Sequence, residues 1–290
     1  MTLLHRLLTN KLAWIGFGII ACVTVAAIFA PFIAPNDPLQ VDLLRKLQPP
    51  SSAFPLGSDH LGRCILSRLI YGARISLSIA VVTMTLTVII GLVVGIVAGY
   101  VGGKLDNWLM RCVDILLAFP SLILSLAIVG ILGPGVFNII LALGIAQWAW
   151  YARIVRGKVL RLKQSNFVKA AIVSGTRRFP LMLKHILPHT VSETIVLASL
   201  DLGVNILQIS GLSFLGLGIQ PPTPEWGAMI NDGREFFRRE PSMMLYPGLT
   251  IFITVLSFNL IGDALRDALD PRSRDRLSME NLESKIQHQV

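Results

Sequence analysis

Apolar residues run almost unbroken through six stretches of the chain, at about 12–34, 75–100, 115–133, 136–152, 192–212 and 247–265. Each approaches the roughly 20 residues that a helix needs to cross the hydrocarbon core of a bilayer. Residues that break helices mark the gaps. Pro31, Pro35 and Pro38 close the first stretch, Gly133-Pro134-Gly135 divides the third from the fourth, and Pro120 stands near the start of the third. The pattern predicts an all-α, polytopic membrane protein with six transmembrane helices. Residues 1–74 form an N-terminal helix and a polar segment, 75–265 a core of five helices, and 266–290 a polar tail.

Between the fourth and fifth stretches, Tyr151 to His189 holds nine Lys and Arg and no Asp or Glu. Basic loops flanking spans stay on the cytoplasmic side. With this loop inside, the cytoplasmic segments carry 18 of the 26 basic residues and the external ones 8. Both termini then fall in the cytoplasm. The external segments are Asn36 to Ala73 and Gly216 to Tyr246, and Gly102 to Asp114 is a short cytoplasmic turn. External Arg63, Arg68 and Arg74 run against the bias and loosen the start of the second span. Within the basic loop, Phe167 to Ile172 has an amphipathic helical pattern that breaks at Ser174-Gly175. A second helical run is expected to end at Pro188, whose ring cannot continue a helix. A helix–glycine–helix elbow under a membrane is a shape suited to docking.

Composition narrows the function classes. The chain is 53% hydrophobic and only 15% charged, with a mean hydropathy of +0.65. Its net charge of +9 sits in loops beside apolar spans, where topology and lipid phosphate account for it and nucleic acid is not needed. Cys22, Cys64 and Cys112 are isolated, with no CxxC. The first apolar run is too long for a cleaved signal and is expected to remain as a span.

Candidate chemistry is sparse. Asp201, Asn205 and Gln208 are spaced four and three apart in the fifth stretch, which places them on one helical face. A carboxylate at bilayer depth costs roughly 2.5 to 3.5 kcal/mol even on the lenient insertion scale, so it should face a cavity or a partner. The polar stripe is read as one wall of a translocation path favouring cationic cargo; an interhelical hydrogen-bond cluster is the alternative. Asn259 and Asp263 share a face of the last stretch, and Asp263, near its cytoplasmic end, is read as structural. Asp59, His60 and Arg63 belong to an external motif in which His60 could touch cargo, although a solvated loop histidine is the plainer reading. His185 and His189 have helical metal-pair spacing, but Pro188 lies between them and no acid or thiol accompanies them, so no metal site is assigned. Gly91, Gly95, Gly99 and Gly103 form a stripe that lets another helix approach closely, inside the chain or at a subunit boundary. Gly103-Lys104 resembles the end of a phosphate loop, but Ala98 and Leu105 replace residues that the motif requires. No nucleophile–base arrangement is present, and the chain is read as non-catalytic.

Several separated motifs carry a family resemblance. Phe167-Val168-Lys169-Ala170-Ala171, then Gly175, then Ile186-Leu187-Pro188 resemble the EAA…G…I-LP signature of permease subunits of binding-protein-dependent ABC importers. Leu56-Gly57-Ser58-Asp59-His60-Leu61-Gly62-Arg63 is similar to the LGTDxLGRD run of the dipeptide/oligopeptide/nickel family. Ser213-Phe214-Leu215-Gly216-Leu217-Gly218, Pro224-Glu225-Trp226-Gly227 and Asp270-Pro271-Arg272 fit the same family. The match covers nearly the whole chain. It departs at Lys169, where the signature has Glu, and at Cys64, where the external motif has Asp.

The resemblance implies a C-type permease beside a second, B-type permease. Two cytoplasmic ATPase subunits would carry ATP and Mg, an extracytoplasmic solute-binding protein would deliver cargo, and the whole would sit in a bacterial inner membrane. The chain itself would bind no cofactor. Residues 167–188 would couple it to an ATPase. Gln147-Trp148-Ala149-Trp150-Tyr151-Ala152-Arg153, Leu200-Asp201-Leu202-Gly203 and Met229-Ile230-Asn231-Asp232 look closest to nickel-import permeases. Nickel or a metal chelate is therefore the expected cargo, with di- or oligopeptides second. A self-contained secondary transporter is the reading from another class; it predicts internal repeats that the chain lacks.

Overall fold

The computed structural model describes residues 11–269, so residues 1–10, the polar tail 270–290 and Asp270-Pro271-Arg272 lie outside it. The described residues are nearly all helical. The main helices are α1 (Lys11–Ile28), α2 (Ile65–Val101), α3 (Gly103–Leu117), α4 (Ser121–Leu132), α5 (Val136–Lys163), α6 (Asn166–Val173), α7 (Leu187–Phe214), α8 (Trp226–Gly233) and α9 (Ser242–Leu269). Five helical segments are long and apolar enough to cross a membrane, and the α3–α4 pair makes a sixth if it is counted as one broken span.

Helix α5 packs along α2 through the glycine stripe. A Cβ on Gly91 would lie 2.4 Å from the Cβ of Tyr151, one on Gly95 2.6 Å from the Ala152 carbonyl, and one on Gly99 2.8 Å from the Cβ of Val159. These contacts are shorter than atoms tolerate, so the stripe is filled from within the chain. Gly103, the fourth member, meets nothing. In lipid, where helices gain no hydrophobic drive to associate, such close backbone approach supplies the packing energy. Helices α7 and α9 pack together, and α1 lies against α9 and α2.

Helix boundaries differ from the expected spans, each for a local reason. α2 begins at Ile65 rather than near 75 because its first turns are buried under the polar segment 36–64, with Arg68 only 2% exposed. The expected turn at 102–114 is the amphipathic helix α3, bent by 86° from α4. The break falls at Ala118 to Pro120, since proline disfavours helical backbone in the residue before it. α5 continues past 152 to Lys163, its basic face paired through Arg153–Asp114, Arg156–Asp106 and Lys158–Glu193. Pro188 starts α7 instead of ending the preceding run. Met182–Ile186 forms a π-turn leading straight into α7, and proline is tolerated in a first helical turn, where its missing N–H is not needed.

Candidate functional site

Asp201 and Gln208 stand two turns apart on α7 and face Tyr151 and Gln147, one turn apart on α5. The Tyr151 hydroxyl donates to Asp201 Oδ2 at 2.6 Å, and Gln147 Nε2 donates to Gln208 Oε1 at 2.7 Å. Gln208 Nε2 in turn reaches Ser121 Oγ at 3.3 Å. The two rungs border a cavity of about 260 Å³ that is also lined by Leu117, Phe119 and Trp150. The α3–α4 break lies at this space, contributing Leu117, Phe119 and Ser121 to its lining. Asp201 is half-buried, and a charge-assisted bond of about 1.5–3 kcal/mol from Tyr151 offsets part of its desolvation.

Asn205 lies elsewhere. It is 1% exposed and donates to the Ala80 carbonyl at 3.0 Å, so it joins α7 to α2 and does not line the cavity. Four helical residues turn the chain about 400° and seven about 700°. Asn205 is therefore rotated from Asp201 toward α2, while Gln208 returns to the Asp201 side. The shared face expected from spacing was too wide. Asn259 and Asp263 are both exposed.

The elbow is built from α6, Gly175 and the run into α7. Val168 is 1% exposed and points inward, while Phe167, Ile172 and Val173 are 42%, 55% and 88% exposed. Lys169, Ala170 and Pro188 are exposed as well, and Ala171 is half-buried. Gly175 holds φ +80, a left-handed conformation natural to glycine, and its N–H donates to the Ile172 carbonyl at 3.0 Å. Ile186 is fully buried against Ile96, Val155 and Val159, with Leu187 beside it. Lys163 ties the base of the elbow to the end of α2 by donating to the Gly99 and Tyr100 carbonyls at 3.3 and 3.0 Å. Those carbonyls are the unsatisfied end of a helix, where a cation is favoured. His189 meets Phe167 in a tilted contact with ring centroids 5.3 Å apart, and no metal-binding group of three acidic, His or Cys residues occurs among the described residues.

The polar segment before α2 folds inward. Asp59 Oδ1 accepts from the Leu61 and Arg63 N–H groups at 2.9 Å each, and Oδ2 accepts from Arg63 Nε at 2.6 Å. Asp232 stands 3.4 Å from both Arg63 and Arg68, and Arg68 Nε is 3.5 Å from Asp59. Asp59 and Arg63 are 4% and 2% exposed. Asp59 and Arg63 thus form a buried, charge-balanced lock with Arg68 and Asp232, while His60 stays half-buried beside it. Gly62 is required in it, because a Cβ there would sit 1.8 Å from the Asp42 carbonyl oxygen. His60 stacks on Phe236 at 5.2 Å, and burial holds its pKa below the ordinary value although Asp59 and Asp232 pull it up. Cys64 is buried at the start of α2.

Tyr151, Gln147 and Asp232 stand in the sequence as members of family-like stretches, and Arg68 as an external charge; none of the four has a site role there. Glu225, named in the sequence only within the Pro224-Glu225-Trp226-Gly227 motif, has a structural role. It caps α8 by accepting from Gly227 N at 3.0 Å and Ala228 N at 2.9 Å, and takes a bond from Ser76 of α2 at 3.1 Å. Burial pushes its pKa up, against the lowering pull of those N–H donors. Trp226 is 0% exposed beside it, so the Pro224-Glu225-Trp226-Gly227 motif pins α8 to α2. An acid immediately before a helix start was the available signal.

Comparison with known proteins agrees with this architecture. Residues 91–275 match the family described as "Binding-protein-dependent transport system inner membrane component". Residues 2–50 match the N-terminal TM domain of oligopeptide transport permease C. The nickel transport system permease protein NikC of Escherichia coli (strain K12) is 44% identical over 253 residues, covering 87% of this chain and 91% of the relative. The metal-staphylopine import system permease protein CntC of Staphylococcus aureus (strain NCTC 8325 / PS 47) is 44% identical over 279 residues, 96% of each chain. The dipeptide transport system permease protein DppC of Alkalihalophilus pseudofirmus is 42% identical over 269 residues, 93% of this chain and 88% of the relative. The chain belongs to the family of binding-protein-dependent transport system inner membrane components, as a permease subunit of the peptide/nickel group of ABC importers.

Proposed function

We propose that this permease forms half of the translocation path for nickel or a metal chelate. The observation that carries the reading is Asp201, a carboxylate held by Tyr151 at the edge of a cavity of about 260 Å³ between spans. Only a cavity or a partner makes an acid at that depth affordable, and a cationic cargo gains most from it. Relatives named for nickel and for metal-staphylopine support the choice. A di- or oligopeptide cargo is the second reading, supported by the dipeptide relative at 42% identity.

The remaining parts follow from the same reading. A second, B-type permease completes the path, and an extracytoplasmic solute-binding protein delivers cargo. The elbow of Phe167, Val168, Lys169, Ala170, Ala171, Gly175, Ile186, Leu187 and Pro188 docks on one of two ATPase subunits. Those subunits hold ATP and Mg; this chain is non-catalytic and binds no cofactor. The protein sits in the bacterial cytoplasmic membrane with both termini inside. In support, 18 of 26 basic residues then fall on the cytoplasmic side, and two of the eight exceptions, Arg63 and Arg68, are neutralised by Asp59 and Asp232. Lys169 is exposed on the elbow, so the docked ATPase is expected to place an acid opposite it.

Uptake of labelled nickel by cells with and without the chain tests the cargo, with excess dipeptide and a metal chelator in separate arms. The metal reading expects uptake to vanish on deletion and to ignore dipeptide. Unchanged nickel uptake with a loss of dipeptide uptake supports the peptide reading instead.

A further inference from the structure

Arg74 stands at the head of a slot on the outward face of the helices, between the last turns of α1 and the first membrane turns of α2. The slot measures about 430 Å³ and is lined by Thr24, Ala27 and Ile28 of α1, Leu77, Ser78 and Val81 of α2, and Phe258 of α9. Below Arg74 its walls are mostly apolar, with Thr24 and Ser78 the two hydroxyl residues, and no acid lines it. Arg74 is exposed, and among the described residues its guanidinium has neither an ion pair nor a hydrogen-bond partner. Its neighbours in sequence behave differently: Arg63 and Arg68 are both buried against Asp59 and Asp232. Arg74 also marks the start of the long apolar run of α2, at the level where α1 ends, so it lies where the hydrocarbon core gives way to headgroups.

We propose that this slot holds one acyl chain of an anionic phospholipid whose phosphate rests on Arg74. A cation beside an apolar channel leading into the membrane matches the two ends of such a lipid, and basic pockets between spans are sites for anionic headgroups. The slot, at about 430 Å³, is large enough to take up part of an acyl chain. A zwitterionic lipid would bring a cation of its own toward Arg74; phosphatidylglycerol brings none. The lipid would bridge α1 to α2 and α9.

The full-length chain in detergent is titrated with phosphatidylglycerol and with phosphatidylcholine of the same acyl chains, and bound lipid is read by native mass spectrometry. One tightly held phosphatidylglycerol is expected. Arg74→Gln lowers its affinity about fivefold, to the phosphatidylcholine level. Leu77→Trp, which fills the slot, removes both lipids; if it fails to fold, Val81→Trp on the exposed wall replaces it. Equal binding of the two lipids, or unchanged phosphatidylglycerol binding in Arg74→Gln, overturns the proposal. So does a photo-crosslinker at position 81 that captures a protein subunit rather than lipid in membranes.

Discussion

The Tyr151 hydroxyl donates to the Asp201 carboxylate at 2.6 Å, joining α5 to α7 at the cavity wall. Tyr151→Phe removes that donor and is expected to cost about 1–3 kcal/mol of stability. Asp201→Asn keeps the shape and the acceptor while removing the charge. Uptake of a cationic cargo per molecule of complex is expected to fall about tenfold, with ATPase docking retained. If Asp201→Asn alters expression and leaves uptake per molecule intact, the residue is structural.

The glycine stripe makes a sharper stability prediction. Gly95→Ala drives a Cβ to 2.6 Å from the Ala152 carbonyl oxygen, which is backbone and cannot swing aside. A loss of about 1–3 kcal/mol is expected from overpacking. Gly103→Ala serves as a comparison: nothing lies within contact of its added Cβ, and only its φ of +64 resists the change. Thermal unfolding in detergent should therefore rank Gly95→Ala below Gly103→Ala.

In the buried lock, Asp59 and Asp232 are balanced by Arg63 and Arg68. Arg63→Met leaves two carboxylates facing one guanidinium and should destabilise the protein by about 3–5 kcal/mol. A double change of Arg63→Met with Asp59→Leu should recover part of that loss, which a double-mutant cycle of unfolding measures. Additive losses would mean that the two groups act separately.

His60 gives the region a pH dependence whose sign follows from its environment. Its folded pKa lies below 6.5 because burial disfavours the charged ring. The neutral ring is thus the form that folding prefers. Its contribution is complete above pH 6.5 and is lost as pH falls through the lowered folded value. A His60→Asn variant should lose less unfolding temperature than the parent on acidification across that window. Equal losses in the two proteins would remove His60 as the cause.

Much of this fold is legible in the hydrophobic pattern, because spanning helices must be apolar over their whole length. The bend between α3 and α4 was not, since Leu116 to Leu132 reads as one apolar run and only Pro120 signals the break. Partners distant in sequence were invisible for a different reason. Arg63 and Asp232 are 169 positions apart, and nothing local in either segment announces the pairing. Asp201 and Gln208 could be placed on one face from spacing, yet Asn205 could not be separated from them without knowing where α2 packs. Tyr151 looked like the first residue of a basic loop until α5 was seen to run on to Lys163.

Under the proposed function, the elbow transmits ATPase motion to the spans. Gly175→Pro tests it, because proline cannot adopt φ +80 and removes the N–H that bonds the Ile172 carbonyl. The measurement is ATP hydrolysis and cargo uptake side by side, in membranes where the variant assembles with its ATPase subunits. The account predicts that hydrolysis persists while uptake is lost. Normal uptake per ATP hydrolysed by Gly175→Pro would contradict it.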